Sequence, residues 1–264
     1  MPLQRTCLIT VRICARYSFY WVTRTYPQHK FILTSPESDS SNYTNNTTQE
    51  VRVLSIDFSM LFLIVTSYAI GSVSFAVIVS KVMSLPSPYS YGSENPGATN
   101  VLRSGNKLAA VLTLLGDAAK GVVAVHFVPT WISTITAARI DLDLMAGFAL
   151  LGVLFGHIYP IFHSFKGGKG VATTFGGLVA LDFRVGVSVL FVWLIVSLIS
   201  RYSSLAAIFA AVIAPLFVFL LLQDAQLTCV VFLVAVILIS KHYKNIINLM
   251  KGVESKIGDK NKKI

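Results

Sequence analysis

The sequence predicts an all-α, polytopic integral membrane protein with about seven transmembrane helices, on three observations. The 264-residue chain is 54% hydrophobic, with a mean hydropathy of +0.68. Only 13% of its residues are charged, well below the roughly 25% of an ordinary soluble domain. Its apolar residues fall in continuous runs rather than in alternation, which favours helices over an outer-membrane barrel.

A bilayer-spanning helix needs about 20 apolar residues. Ser59–Met83, Leu108–Trp131, Leu144–Phe162, Val185–Ser200, Ser203–Leu222 and Leu227–Ser240 supply six such runs. Gly170–Leu181 is the seventh and the shortest. A helix of that length rises only about 18 Å against a hydrocarbon core of roughly 30 Å. It therefore either borrows length from its flanks or re-enters on the same side.

The formal charge is +10, and its placement sets the orientation. Lys241, Lys244, Lys251, Lys256, Lys260, Lys262 and Lys263 crowd the tail after the last run. Positive loops stay in the cytoplasm, so the tail is expected there. Seven crossings then place Lys81–Lys107, Ser164–Lys169 and Arg201 on the same face. Ser133–Asp143, Asp182–Arg184 and Gln223–Gln226 become the outer loops. The expected organisation is an N-terminal extension (residues 1–58), a membrane domain (59–254) and a basic cytoplasmic tail (255–264). Cys7, Cys14 and Cys229 are odd in number and imply no disulfide framework or metal site.

The extension differs in kind from the rest. Arg5, Arg12, Arg16 and Arg24 precede the first acid, Glu37, as in an organellar transit peptide. The stretch SPESDSSNYTNNTTQE is polar and poor in aliphatics, a disorder-prone composition, and Asn42, Asn45 and Asn46 each begin a glycosylation sequon. Met60 would itself make a sensible start to a membrane protein, so no function is assigned to residues 1–58.

Ionisable or glycine-rich stretches are costly in lipid unless buried against protein or water, so the interruptions on the inner face are where chemistry is expected. The first, YGSENPGATNVLR (Tyr91–Arg103), offers Ser93, Asn95, Thr99 and Asn100 as hydrogen-bonding groups. Pro96 and Gly97 turn the chain there, and Arg103 supplies a cationic fork suited to phosphate. The second, GDAAKG (Gly116–Gly121), places Asp117 and Lys120 three apart on one helical face, a scaffold pair bordering the site. The third, FKGGKG (Phe165–Gly170), follows GHIYP. Its glycines Gly167, Gly168 and Gly170 free backbone N–H groups, a helix start at Gly170 adds its positive dipole end, and Lys166 and Lys169 complete a phosphate cradle. It is not a Walker loop, because G-x-x-x-x-G-K-[ST] cannot be matched. The fourth, KHYKNI (Lys241–Ile246), puts His242 and Asn245 on one face. Four polar clusters at one face point to a phosphorylated substrate held where lipid meets water.

GSENPGATNVLR, GDAAKG, GHIYPIFHSFKGGKGVAT and KHYKNIINLMKGVE together resemble the bacterial membrane glycerol-3-phosphate acyltransferases that use acyl phosphate as donor. The resemblance runs from about Met60 to Glu254. It implies a seven-helix inner-membrane enzyme with a cytosolic active site that acylates the 1-hydroxyl of glycerol 3-phosphate to give lysophosphatidic acid, the first step of phospholipid synthesis. Carried over by motif, Ser93, Arg103, Lys166, His242 and Asn245 are the expected catalytic residues. Asn95, Gly97, Thr99, Asn100, Gly167, Gly168, Lys169 and Gly170 are expected to bind substrate, and Glu254 to be structural beside Asp117 and Lys120. The expected partners are glycerol 3-phosphate, long-chain acyl phosphate and membrane lipids, with no nucleic acid, cofactor or metal. Two positions depart from the family pattern: Glu94 stands where glycine is common, and Ser74, in GSVSF, where a kinking proline is usual.

The sequence offers no Ser-His-Asp or Cys-His arrangement for an acyl-enzyme, which fits direct transfer. The His-x-x-x-x-Asp of acyl-CoA-dependent acyltransferases is absent, and Asp117 lacks the following aspartates that a CDP-alcohol phosphotransferase needs. A transporter of a phosphorylated solute is the non-enzyme alternative. It sits poorly with polar clusters gathered at one face.

Overall fold

The computed structural model describes residues 9–15, 18–24, 58–136 and 141–257. The chain divides into two units, Met1–Asn46 and Thr47–Ile264. In the first, β1 (Ile9–Ala15) and β2 (Ser18–Arg24) form an antiparallel hairpin, with Ile9 opposite Arg24 and Ala15 opposite Ser18. The polar stretch from Ser35 to Glu50 and the three sequons lie outside the described residues, as does most of the tail from Ser255 to Ile264.

Among its described residues the second unit has only helices as regular elements, joined by loops. Its helices are α1 (residues 58–71), α2 (Phe75–Val82), α3 (Ala98–Leu102), α4 (Lys107–Val122), α5 (Val128–Thr136), α6 (Leu142–Ile158), α7 (Val171–Leu181), α8 (Phe183–Ser200), α9 (Ser203–Leu222), α10 (Ala225–Lys241) and α11 (Tyr243–Met250). A π-helical stretch, Val123–Phe127, joins α4 to α5, so that Lys107–Thr136 runs as one long apolar rod. Among the described residues five helical segments are long and apolar enough to cross a membrane: Phe58–Val82, Lys107–Thr136, Leu142–His163, Phe183–Ser200 and Ser203–Leu222. Helices α10 and α11, bent by 58° at His242, make a sixth if taken as one span. The expected count of about seven therefore turns on α7, which at 11 residues rises only about 16 Å.

Length is not what holds α7. Leu178 and Leu181 are buried in the main core with Leu150, Val153 and Leu154 of α6 and Val185 and Val189 of α8. Small residues bring α7 against α4: a Cβ on Gly176 would strike the carbonyl of Ala118, and one on Gly121 the carbonyl of Thr173. A short helix wedged between three longer ones meets mostly protein, which spares its ends the lipid mismatch.

The first span breaks at Ser72–Ser74 although no proline is present there. The ammonium of Lys120 explains the break. It donates to the carbonyls of Gly71 (2.9 Å) and Val73 (2.7 Å), which the interrupted helix leaves unpaired, and lies 3.0 Å from the Asp117 carboxylate. Both side chains are almost fully buried. Asp117 and Lys120 thus tie α4 to the gap between α1 and α2. Removing one member of a buried pair typically costs about 3–5 kcal/mol. Lys120→Met is expected to destabilise the detergent-solubilised protein by that order in thermal unfolding, and Asp117→Asn in the same chain to restore part of the loss.

Candidate active site

The ends of α2, α6, α8 and α10 converge with the loops that follow them. Tyr89 donates from its hydroxyl to the Lys166 carbonyl (2.8 Å), Arg103 to the Ser255 hydroxyl (2.7 Å), and Lys169 to the Asn245 side-chain oxygen (2.6 Å). Within the tail, the Ile257 N–H donates to the Arg201 carbonyl at 2.7 Å. Three of the polar clusters, far apart in sequence, therefore form one constellation. The fourth, around Asp117, lies beneath it.

This constellation rims a cavity of about 1570 Å³. Its mouth carries Ser93, Asn95, Thr99, Arg103, Lys169 and Asn245, with His242 and Glu254 beside them. Its depth is apolar, walled by Leu178 of α7, Val189 and Leu190 of α8, Ala210 and Ala214 of α9, and Val231 of α10. A polar mouth over a long apolar interior suits a molecule with a charged head and a hydrocarbon chain.

The Tyr91–Arg103 loop is shaped by Asn100, which is 2% exposed. Its amide donates to the carbonyls of Pro88 (2.8 Å) and Tyr91 (3.2 Å), and its oxygen accepts from the Ser93 N–H (2.9 Å) and hydroxyl (3.2 Å). Asn100, expected to bind substrate, thus has its side chain occupied in fixing Ser93. Glu94 has a φ of 55°, a left-handed conformation that glycine adopts without penalty. Glycine, which the resemblance expects at this position, would take that conformation without strain. The Glu94 side chain is exposed at the rim.

The two lysines of FKGGKG part company. Lys166 is exposed and lies outside the cavity lining, whereas Lys169 lines it. Lys166, expected to be catalytic, is thus not among the lining residues, whereas Lys169, expected to bind substrate, is. The glycines divide too. Gly167 and Gly168 do not line the cavity. Instead, a Cβ on Gly167 would strike the His157 carbonyl, and one on Gly168 the His157 ring and, at 2.9 Å, the Pro96 carbonyl. They permit close packing rather than forming a nest. Gly170 does line the cavity, with a φ of 90°, and starts α7 without a side-chain cap. The opening N–H groups of α7 and its positive dipole end thus sit at the cavity mouth.

Lys169 is held by a relay. The Asn245 oxygen accepts from its ammonium, the Asn245 amide donates to Glu254 Oε1 (2.7 Å), and the Ser204 hydroxyl donates to the same oxygen (2.7 Å). Burial lowers the Lys169 pKa to about 8, with Glu254 raising it and Arg103 lowering it. The ammonium is thus charged at neutral pH but weakly so. His242, where α10 ends, has its pKa lowered to about 4 by burial, opposed by its bond to Leu238; Lys169 lowers it further and Glu254 raises it. Its neutral ring donates from Nδ1 to the Leu238 carbonyl (2.8 Å), leaving Nε2 as an acceptor. His157 is buried against Thr173 Oγ1 (3.2 Å) and Asp117 (3.7 Å). Ser204 and Ser255 were not singled out by sequence reasoning. Lone serines in polar stretches carry no signal of their own.

The sequence matches the family model described as glycerol-3-phosphate acyltransferase over residues 61–252. It is 50% identical over 202 residues to a glycerol-3-phosphate acyltransferase of Cupriavidus necator, covering 76% of this chain and 98% of that protein. It is 52% identical over 198 residues to the protein of that name from Ralstonia pickettii, covering 74% and 93%. Among solved structures it resembles the crystal structure of PlsY (YgiH), an integral membrane glycerol 3-phosphate acyltransferase, in its glycerol 3-phosphate form. That match has a TM-score of 0.67 and 34% identity, and covers 76% of this chain and 96% of that one. The lysophosphatidic acid form matches with a TM-score of 0.66. The helices, the cavity and these matches agree: the chain belongs to the glycerol-3-phosphate acyltransferase family.

Proposed function

We propose that this acyltransferase takes its acyl group from an acyl phosphate and delivers it directly to the 1-hydroxyl of sn-glycerol 3-phosphate, giving 1-acyl-glycerol 3-phosphate and inorganic phosphate. The observation that carries this reading is the pairing of two cations, Arg103 and Lys169, with the start of α7 at the mouth of one apolar-lined cavity. Two phosphoryl groups and one hydrocarbon chain are what an acyl phosphate and glycerol 3-phosphate bring together.

An acyl phosphate is a mixed anhydride with a good leaving group, so catalysis consists chiefly of orientation and of neutralising gathering negative charge. In this reading Ser93 and Arg103 hold glycerol 3-phosphate, and Lys169 with the α7 amides holds the donor's phosphoryl group. The attacking oxygen forms its bond to the carbonyl carbon, the carbonyl carbon–bridging oxygen bond breaks, and the departing phosphate carries away the hydroxyl proton. A pKa near 4 makes His242 a weak base at neutral pH, which favours the phosphate as proton acceptor. The Asn245–Glu254–Ser204 relay orients Lys169. In this reading the site faces the cytoplasm from a bacterial inner membrane, which the basic loops at the site end support through the positive-inside rule.

Purified protein given palmitoyl phosphate and labelled glycerol 3-phosphate is expected to form labelled lysophosphatidic acid and one equivalent of phosphate. Product from palmitoyl-CoA but none from palmitoyl phosphate would overturn the donor assignment. Because Lys169 must be charged to hold phosphate, kcat/KM is expected to fall above about pH 8, with Lys169→Arg moving that limb upward. A kcat/KM flat to about pH 10 would contradict the role. Folding stability should move the opposite way. A lysine whose folded pKa lies below its unfolded value of about 10.4 opposes folding while charged, so stability rises with pH between about 8 and 10.

A further inference from the structure

The hydroxyl of Thr174 has no part in the site as described so far, yet it lines the cavity, is 4% exposed and has no hydrogen-bond partner. That is unusual for a threonine in a helix, which ordinarily donates to the carbonyl one turn back. Thr130, Thr134, Thr136 and Thr228 all do so here, each to the residue four before it. Thr173, its neighbour, pairs with the His157 ring. Thr113 is also buried and unpartnered but does not line the cavity. A buried hydroxyl without a partner carries a desolvation cost, and a ligand atom in the cavity would remove it.

Its position on α7 identifies that atom. The Thr174 N–H donates to the Gly170 carbonyl at 2.8 Å, so Thr174 stands one turn, about 5.4 Å, deeper than the helix start. In the reading above the start of α7 and Lys169 hold the donor's phosphoryl group, and this inference rests on that reading. The carbonyl oxygen of an acyl phosphate is three covalent bonds from phosphorus, on the side where the chain turns into the apolar interior. It can only accept. We infer that the Thr174 hydroxyl donates to the acyl carbonyl oxygen and stabilises the negative charge that gathers there as the glycerol oxygen adds to the carbonyl carbon. When the carbonyl carbon–bridging oxygen bond breaks, the charge returns to re-form the carbonyl and the phosphate leaves with the proton. Thr174 neither gains nor loses a proton overall.

Removing one such donor typically lowers kcat by about 10²- to 10³-fold. With palmitoyl phosphate as donor, Thr174→Val, which keeps shape and loses the hydroxyl, is expected to lower kcat about a hundredfold and leave the KM for glycerol 3-phosphate within about twofold. Thr174→Ser is expected to stay within about threefold of wild type, because the donor is kept. Thr174→Ala supplies a second donor-free variant should valine misfold, and is expected to match valine in kcat. Near-wild-type kcat in a folded donor-free variant would overturn the assignment. So would equal losses in serine and valine, which would mark a packing role. Wild-type protein inert toward palmitoyl phosphate would overturn the underlying donor reading as well, a result distinct from an active wild type with an indifferent Thr174.

Discussion

Glu254 Oε1 accepts from Asn245 and Ser204, and Asn245 in turn accepts from Lys169. Through this chain of hydrogen bonds Glu254 fixes a half-buried ammonium at the start of α7. Without it, Lys169 would be a half-buried cation with little to hold it, a costly arrangement where water is partly excluded. Glu254 supplies partial compensation at one remove, so the ammonium stays charged near neutrality but keeps capacity for an incoming anion. A direct lysine–carboxylate pair would have filled the site with its own counterion. Interposing an amide leaves the lysine oriented and still in need of negative charge.

The scaffold beneath follows the same logic of satisfying polar groups inside an apolar body. Lys120 and Asp117 occupy the gap between α1 and α2, and His157 lies against them. Gly168 presses on the His157 ring, and Gly176 and Gly121 let α7 approach α4 to backbone contact. The start of α7 is thereby set by packing from several sides. A catalytic constellation must be held to within about 0.5 Å by its surroundings, and a short helix wedged among longer ones provides that better than a loop.

Much of this was legible in the sequence. Continuous apolar runs locate α4 to α10 because lipid permits little else, and the shortness of α7 follows from counting residues. The four polar interruptions point to one site because their cost in lipid has to be offset by function or burial. Three kinds of feature were not legible. The break at Ser72–Ser74 has no proline to announce it, since its cause, Lys120, lies 46 or more residues away. Lys166 and Lys169 are chemically alike and three apart, and the folded loop leaves one exposed and the other lining the cavity. Asn100 and the paired glycines Gly167 and Gly168 read as substrate ligands but shape the loop and pack it. Residue type reveals what a side chain can do, and contacts decide which of its abilities is used.

The central claim is that a single half-buried lysine, positioned through Asn245 and Glu254, receives the phosphoryl charge. Calorimetric titration of glycerol 3-phosphate plus a non-hydrolysable palmitoyl phosphonate into folded Lys169→Met and Lys166→Met proteins tests it most directly. The account predicts that Lys169→Met weakens phosphonate binding at least about tenfold while Lys166→Met leaves it near wild type. Equal losses in the two variants, or a larger loss in Lys166→Met, would contradict it.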